Sequence, residues 1–317
     1  MQKRFWLMVL LILAGAAYAL QKAAPLRGEW RPDEVAPGVY VIHGPTELPS
    51  PSNQGFMNNP AFVVSGEGVV VIDPGSSVQV GEMLLAHIEK VTDKPILAVF
   101  NSHIHGDHWL GNQAIRARYP EVPIYGHDRV GPKVLAGAGT EWVQLMLRLT
   151  ENATLGTDVV APDHPVKDGD LLRIGGLTYR VMNNDKAHTD TDIMLHLKEL
   201  DVMFLGDNAG HGRILRLEGG SFPGNITALE NALASGATVF VPGHGPSGGS
   251  EVATRYRDYL QTLYETVQQG VEEGLADFEI RPLLLPKLGP WQQWAGFDSE
   301  LGPHISGAYL EAEAAAF

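Results

Sequence analysis

The 317-residue chain contains no cysteine. No disulfide can staple it, so stability must come from core packing and from any bound ion, and side-chain metal ligands must be nitrogen or oxygen. Positive charge is scarce: 23 Lys and Arg stand against 37 Asp and Glu, for a formal net charge of −14. A surface of that sign repels phosphate backbones and argues against a nucleic-acid partner. Low-complexity linkers are missing, and so is any apolar run long enough to span a bilayer, with the amino terminus the one stretch to weigh. What is there in quantity is hydrophobic content of 44%, with 36 Gly and 21 Pro. That combination describes a loop-rich globular protein with one large core.

At the amino terminus, Lys3 and Arg4 precede the apolar run from Phe5 to Leu13, and small residues follow to Ala17, Tyr18 and Ala19. The last three have the A-x-A form that signal peptidase accepts, so residues 1–19 are expected to be a cleaved signal peptide and the mature protein periplasmic or secreted. An uncleaved anchor is the competing reading, but the run falls short of the ~20 residues a spanning helix needs. No stable membrane insertion is expected after cleavage.

From Arg27 to Pro74 the sequence alternates β-branched runs with turn residues. The runs are Gly38 to Ile42, Ala61 to Val64 and Gly68 to Asp73, and the polar stretch Pro49 to Asn59 between the first two reads as a flap. Helical spacing predicts a helix over Val78–Val91, then a strand over Ile96–Phe100, a helix over Trp109–Tyr119, a strand over Val122–Tyr125 and a helix over Glu141–Thr150. A second strand-rich half follows, with strands at Asp170–Ile174, Leu177–Met182, Asp192–Leu197 and Val202–Leu205. It closes with a helix over Asn225–Ser235, a strand over Ala237–Val241 and a long amphipathic helix over Ser250–Gly274. Two halves of strands and helices without a linker suit two packed sheets with helices outside, hence one domain over residues 28–280. Residues 281–317, with Trp291, Trp294 and an Ala-rich end, read as a carboxy-terminal extension packed on that domain.

The chemistry is concentrated in the stretch from Asn101 to Asn112, where His103, His105, Asp107 and His108 directly follow an apolar strand. Three His and one Asp within six positions rarely arise from surface or core packing. Alternate residues of a strand-end loop share a face, so His103 and His105 can bind one ion while Asp107 and His108 turn toward a second. Three later positions repeat the grammar of an apolar strand followed by a ligand: His188, Asp207 and His244.

The ordered motifs HIHGDH, AHT, LGDN and PGHG resemble those of the metallo-β-lactamase superfamily over about residues 35–250. The resemblance implies an α/β fold, the αββα sandwich, with a two-metal site where loops of both sheets meet. It implies His103, His105 and His188 at one ion, Asp107, His108 and His244 at the other, and Asp207 bridging them. Asp207 in place of the Cys or Ser of the β-lactamases proper is similar to glyoxalase II, lactonases and related hydrolases. The segment from Asn53 to Gly75 and the PGHGP turn look like exported hydrolases of the Sox-type branch.

Such a site is expected to hold two divalent ions, with zinc favoured by the histidines and Fe or Mn also accepted by nitrogen and oxygen ligands. Coordination lowers the pKa of water from 15.7 toward ~7, which would let a hydroxide attack an ester, lactone, thioester or amide carbonyl of a small-molecule substrate. Asp107 would orient that nucleophile and pass its proton, and is the expected catalytic residue. Two other readings stand beside this one: a single-iron oxidoreductase similar to the persulfide dioxygenases, and a non-catalytic metal-binding assembly protein. Thr189, Asp190 and Asp192 are candidate partners for the ligand imidazoles. His211, the flap residues Asn53, Gln54, Phe56 and Met57, and the two tryptophans of the extension are candidates for the substrate side. His43, His87, His127, His164, His196 and His304 lie outside the ligand grammar.

Overall fold

The computed structural model describes residues 24–316, so the expected signal peptide lies outside the described residues. The first half builds a seven-stranded sheet in the order β1 to β7: Asp33–Ala36, Val39–Val41, Ala61–Val64, Val69–Ile72, Ile96–Phe100, Ile124–His127 and His164–Val166. β1 to β4 pair antiparallel, whereas β4 to β7 pair parallel. β4 is buried on both faces, which accounts for its continuous Val-Val-Val-Ile run. The second half builds a five-stranded sheet from β8 (Leu171–Ile174), β9 (Leu177–Met182), β10 (Met194–Leu197), β11 (Val202–Gly210) and β12 (Val239–His244).

Between the sheets lies an apolar layer that includes Val63, Val70, Phe100, Val181, Leu195 and Val241. Outside the first sheet pack α1 (Val78–Val91) and α2 (Asn112–Arg118). α1 starts where the Ser77 side chain accepts from the Val80 amide, and its buried face carries Val80, Leu84 and Ile88, each adding about 1.5–3 kcal/mol by burial. The helix α3 (Gly139–Leu149) follows an irregular turn at Gly137, whose φ of 138° only glycine adopts freely. Outside the second sheet pack α4 (Phe222–Ala234), α5 (Glu251–Glu272), α6 (Asp277–Leu284) and α7 (Phe297–Ala315). The layers are therefore helix, sheet, sheet, helix, as expected. Among the described residues no helix is long and apolar enough to cross a membrane.

Strand direction places the site. β4 runs parallel to β5 with Ile72 opposite Phe100, so Asp73 and the loop from Asn101 leave the first sheet at one edge. β11 runs parallel to β12, so Asp207 and His244 leave the second sheet together, and β9 points the same way toward His188.

Elements at the site differ from their sequence pattern. The helix expected from Trp109 begins at Asn112, because residues 106–108 form a tight 3₁₀ turn that aims Asp107 and His108 inward. β11 continues past Leu205 to Gly210, since its parallel partner β12 also extends through the ligand.

Residue 281, where the extension was expected to begin, lies inside α6. Trp291, Trp294, Phe297, Leu301 and Ile305 join the same core as α4 and α5. Of the flap, Gln54 and Phe56 are buried: the Gln54 side chain bonds the backbone of Pro25 and Arg27, and Phe56 packs edge-on against Trp30.

Candidate metal centre

Seven side chains converge at the strand ends. The ligand atoms of His103, His105, His188 and Asp207 all lie within 4.8 Å of one another, and so do those of Asp107, His108 and His244. Within the first group, His188 Nε2 is 3.1 Å from His105 Nδ1, and Asp207 Oδ2 is 3.8 Å from His103 Nε2 and 3.6 Å from His188 Nε2. In the second, Asp107 Oδ2 is 3.4 Å from His108 Nε2 and 3.3 Å from His244 Nε2. Asp207 belongs to both, because its other oxygen, Oδ1, lies 3.1 Å from His108 Nε2 and 3.3 Å from His244 Nε2.

Two donors that each sit ~2.0–2.1 Å from a tetrahedral ion are about 3.4 Å apart. The observed separations cluster around that value. His103 Nε2, His108 Nε2, Asp107 Oδ2 and Asp207 Oδ1 are buried and have no hydrogen-bond partner of acceptable geometry. Four orphaned polar atoms pointing at two places would each cost about 1–3 kcal/mol if nothing met them. The donor set therefore fits two divalent ions.

The matching family model, the metallo-beta-lactamase superfamily, covers residues 54–244. The chain belongs to the metallo-beta-lactamase superfamily.

Among its relatives, the linear primary-alkylsulfatase of a Pseudomonas species is 26% identical over 256 residues, which is 69% of this chain and 48% of that protein. A probable hydroxyacylglutathione hydrolase of Schizosaccharomyces pombe is 25% identical over 205 residues, 62% of this chain and 68% of the relative. The chain thus spans about half the length of the alkylsulfatase. The solved stereoselective inverting sec-alkylsulfatase of a Pseudomonas species superposes with a TM-score of 0.68 at 16% identity, over 89% of this chain and 50% of that one. A metallo-beta-lactamase from Pontibacter korlensis gives 0.57 at 20% identity, over 74% of this chain and 99% of that one. At such identities the structures share the fold.

In this superfamily member the imidazoles are oriented from behind. His108 Nδ1 lies 2.8 Å from Asp73 Oδ2, while Asp73 Oδ1 accepts from the Ser102 amide at 2.7 Å. His103 Nδ1 meets Ser102 Oγ at 2.9 Å, and His244 Nδ1 donates to the Met57 carbonyl at 2.7 Å. Each contact occupies Nδ1 and leaves Nε2 facing the site, and the acceptor-only Asp73 carboxylate and Met57 carbonyl fix the Nδ1–H tautomer that His108 and His244 need as ligands. Trp142 packs over His105 at 5.3 Å between ring centres. Gly243 is required where β12 passes the centre, since a Cβ there would collide with Asp207 Oδ1.

Burial, together with the neighbouring imidazoles, pushes His103 well below the ordinary histidine value. Burial likewise drives His188 down to about 3, against the pull of Asp207, and it lowers His105. His108 goes the other way: burial opposes its charge, but the carboxylates of Asp207, Asp107 and Asp73 outweigh it and hold the pKa well above normal. His244 is raised as well, with Asp207 overcoming burial. Asp107 and Asp207 stay ionised despite burial, because His108 and His244 face them. Protons on His108 and His244 thus compensate the two carboxylates, and a metal ion entering this group would release them.

Sequence reasoning missed Asp73, Ser102, the Met57 carbonyl, Trp142 and Arg213. Asp73 had a signal, a carboxylate closing a fully apolar strand as the candidate ligands do. A backbone carbonyl has none. The expected partners from the His188 loop do other work. Asp192 accepts from the amide and hydroxyl of Thr189 at 2.6 and 2.7 Å, and Lys133 binds Asp190, so both brace the loop without touching an imidazole. His211 Nδ1 faces the Pro246 carbonyl and does not line the cavity. Trp291 and Trp294 are core residues, and their segment reaches the cavity through Gly296 and Glu300.

Proposed function

We propose that this protein is an exported two-metal hydrolase that cleaves an ester, lactone, thioester or amide bond of a small molecule. The observation that carries the reading is Asp207, whose two carboxylate oxygens each face a different group of imidazoles. His103, His105 and His188 would hold the first ion, and Asp107, His108 and His244 the second. Two ions held there would supply a water acidified toward neutral pH and a polarised carbonyl, and zinc suits the histidine-rich set best.

The chain's own groups do the rest. Asp107, ionised despite its burial and placed at the second ion's site, accepts the proton of the attacking water and returns it to the leaving group. Asp73, Ser102 and the Met57 carbonyl keep three imidazoles in one orientation, and Asp73 and the carbonyl also hold His108 and His244 in one tautomer. A cavity of about 560 Å³ opens over the centre, and Met57, Trp142, Leu145 and Ile214 in its wall keep bulk water from the scissile bond. The sequence supports export through its A-x-A site at Ala17 to Ala19, and its acidity speaks for small-molecule substrates.

The test is a panel of lactones, thioesters, simple esters, β-lactams and persulfides offered to metal-loaded protein. Turnover of a carbonyl substrate that collapses in Asp107→Asn is expected. Oxygen consumption on a persulfide with no hydrolysis would replace this reading by the oxidoreductase one, and inertness toward the whole panel would leave the metal-binding one.

A further inference from the structure

The imidazoles of the two ion sites are not held alike. His103, His108 and His244 each meet a partner at Nδ1, whereas His188 Nδ1 is buried with no hydrogen-bond partner among the described residues. Its other nitrogen, Nε2, faces His105 Nδ1 at 3.1 Å. With no grip on the outer edge of the ring, the place of His188 in the site depends on the backbone that carries it. That backbone is the loop between β9 and β10, where Thr189, Thr191 and Asp192 are all buried.

These three side chains form one hydrogen-bonded chain. Asp192 Oδ2 accepts the Thr189 amide at 2.6 Å, and Oδ1 accepts the Thr189 hydroxyl at 2.7 Å. Thr189 Oγ1 in turn accepts the Thr191 amide at 3.0 Å and lies 2.9 Å from Thr191 Oγ1. Thr191 Oγ1 accepts the Ile104 amide at 3.2 Å. The direction is forced: an ionised carboxylate only accepts and an amide only donates, so the Thr189 proton goes to Asp192 and the Thr191 proton to Thr189. Next to the chain, the Ile193 amide donates to Ser102 O at 2.7 Å, and the Ser102 hydroxyl meets His103 Nδ1. The chain therefore begins at Ile104, between His103 and His105, and ends on the residue that follows His188. Linked hydroxyls of this kind strengthen one another and fail together when one is removed. His108 and His244 are held by Asp73 and the Met57 carbonyl, which lie outside these bonds.

We propose that Thr191 is a positioning residue for the first ion, acting with Thr189 and Asp192 to lock the backbone of His188 onto the loop of His103 and His105. Resting on the two-metal reading, this gives the two ions separate holds: the Asp73 carboxylate for the second and the Thr191 hydroxyl for the first. Valine has the shape of threonine without the hydroxyl. In its place the Ile104 amide loses its acceptor and the chain is cut in the middle, while Asp73, His108 and His244 keep every bond they have.

The test is zinc affinity by chelator competition at pH 8, above the value of about 7 to which burial pushes the Asp192 carboxyl. Two backgrounds separate the ions, since His244→Asn should retain the first and His188→Asn the second. Thr191→Val should lower first-ion affinity about 10- to 100-fold and leave second-ion affinity as it was. Thr191→Ser, which restores the hydroxyl, should restore the first ion. Unchanged first-ion affinity in Thr191→Val, equal losses at both ions, or no rescue by serine overturns the proposal. Should Thr191→Val not fold, Asp192→Asn takes its place: the asparagine NH₂ meets the Thr189 hydroxyl, the chain must reverse, and the Thr191 proton is left without an acceptor. The same selective loss is expected there, and an unchanged first-ion affinity overturns the proposal. One zinc per wild-type chain would sink the two-metal reading itself, whereas two zinc in wild type with Thr191→Val unaffected sinks the positioning role alone.

Discussion

Replacing Asp73 by Asn tests how the second ion's site is held, and its effect can be worked from two hydrogen bonds. Asp73 accepts the Ser102 amide with Oδ1 and the His108 Nδ1 proton with Oδ2. An asparagine can keep the first bond with its carbonyl oxygen, which turns its NH₂ toward His108. Two donors then face each other, and the imidazole escapes by moving its proton to Nε2. That proton occupies the lone pair aimed at Asp107 and Asp207, so His108 stops being a ligand until the tautomer is forced back. Loss of such an orienting partner typically weakens metal binding about 10- to 100-fold, or roughly 1.4–2.7 kcal/mol. At a fixed metal concentration above the Kd, apparent stability falls by the same amount, and for a chain of this size the melting point drops by about 2–5 °C. His103, His105 and His188 do not touch Asp73, so one ion should stay. Chelator competition followed by calorimetric melting reads both quantities. Two ions held in Asp73→Asn with wild-type affinity would show that the carboxylate does not govern the His108 tautomer.

Three further outcomes are expected. Asp107→Asn should keep most of the metal and lose about 10²–10⁴-fold in turnover, because the variant cannot take a proton; full activity in it would remove Asp107 from the mechanism. Gly243→Ala drives a methyl against Asp207 Oδ1 and the Gly206 backbone, and should cost about 1–3 kcal/mol and lower metal content together; a variant with wild-type melting and metal would refute the tight packing behind Asp207. His304, pushed down to about 4 by burial, donates through Nε2 to Leu215 O and receives the Tyr259 hydroxyl at Nδ1. Its folded pKa lies below the unfolded value near 6.5, so the unfolded chain takes up the proton first and stability is lost as pH falls from 6.5 to 4, by about 3 kcal/mol. His304→Gln should show a flatter acid limb than wild type in melting point against pH, and parallel curves would contradict this.

Much of the site was legible because each candidate ligand follows an apolar strand, and parallel strands deliver their ends to one edge. The tight spacing from His103 to His108 and the lone Asp207 carried most of the signal. What stayed hidden was the supporting chemistry. Asp73 looks like the turn residue that closes β4, and only the β4–β5 pairing sets it behind His108. Arg213 sits in a Gly-rich loop beside His211, and the wrong neighbour drew notice because a histidine resembles a ligand whereas a cavity-lining arginine has no local signature. Trp291 and Trp294 carry the same ambiguity, since an aromatic pair reads alike as pocket wall or core, and packing against α5 decided for core. The early start given to α2 failed for a related reason: helical spacing continues through Trp109, but the His105 carbonyl takes the His108 amide and tightens the turn.

The central claim is that Asp207 joins two ions in one site, and the metal content of the purified full-length chain tests it most directly. After loading with excess zinc and gel filtration, mass spectrometry should count two ions per wild-type chain and fewer in Asp207→Ala, with His103, His105, Asp107, His108, His188 and His244 unchanged. One ion per wild-type chain, or two in both proteins, would contradict the account.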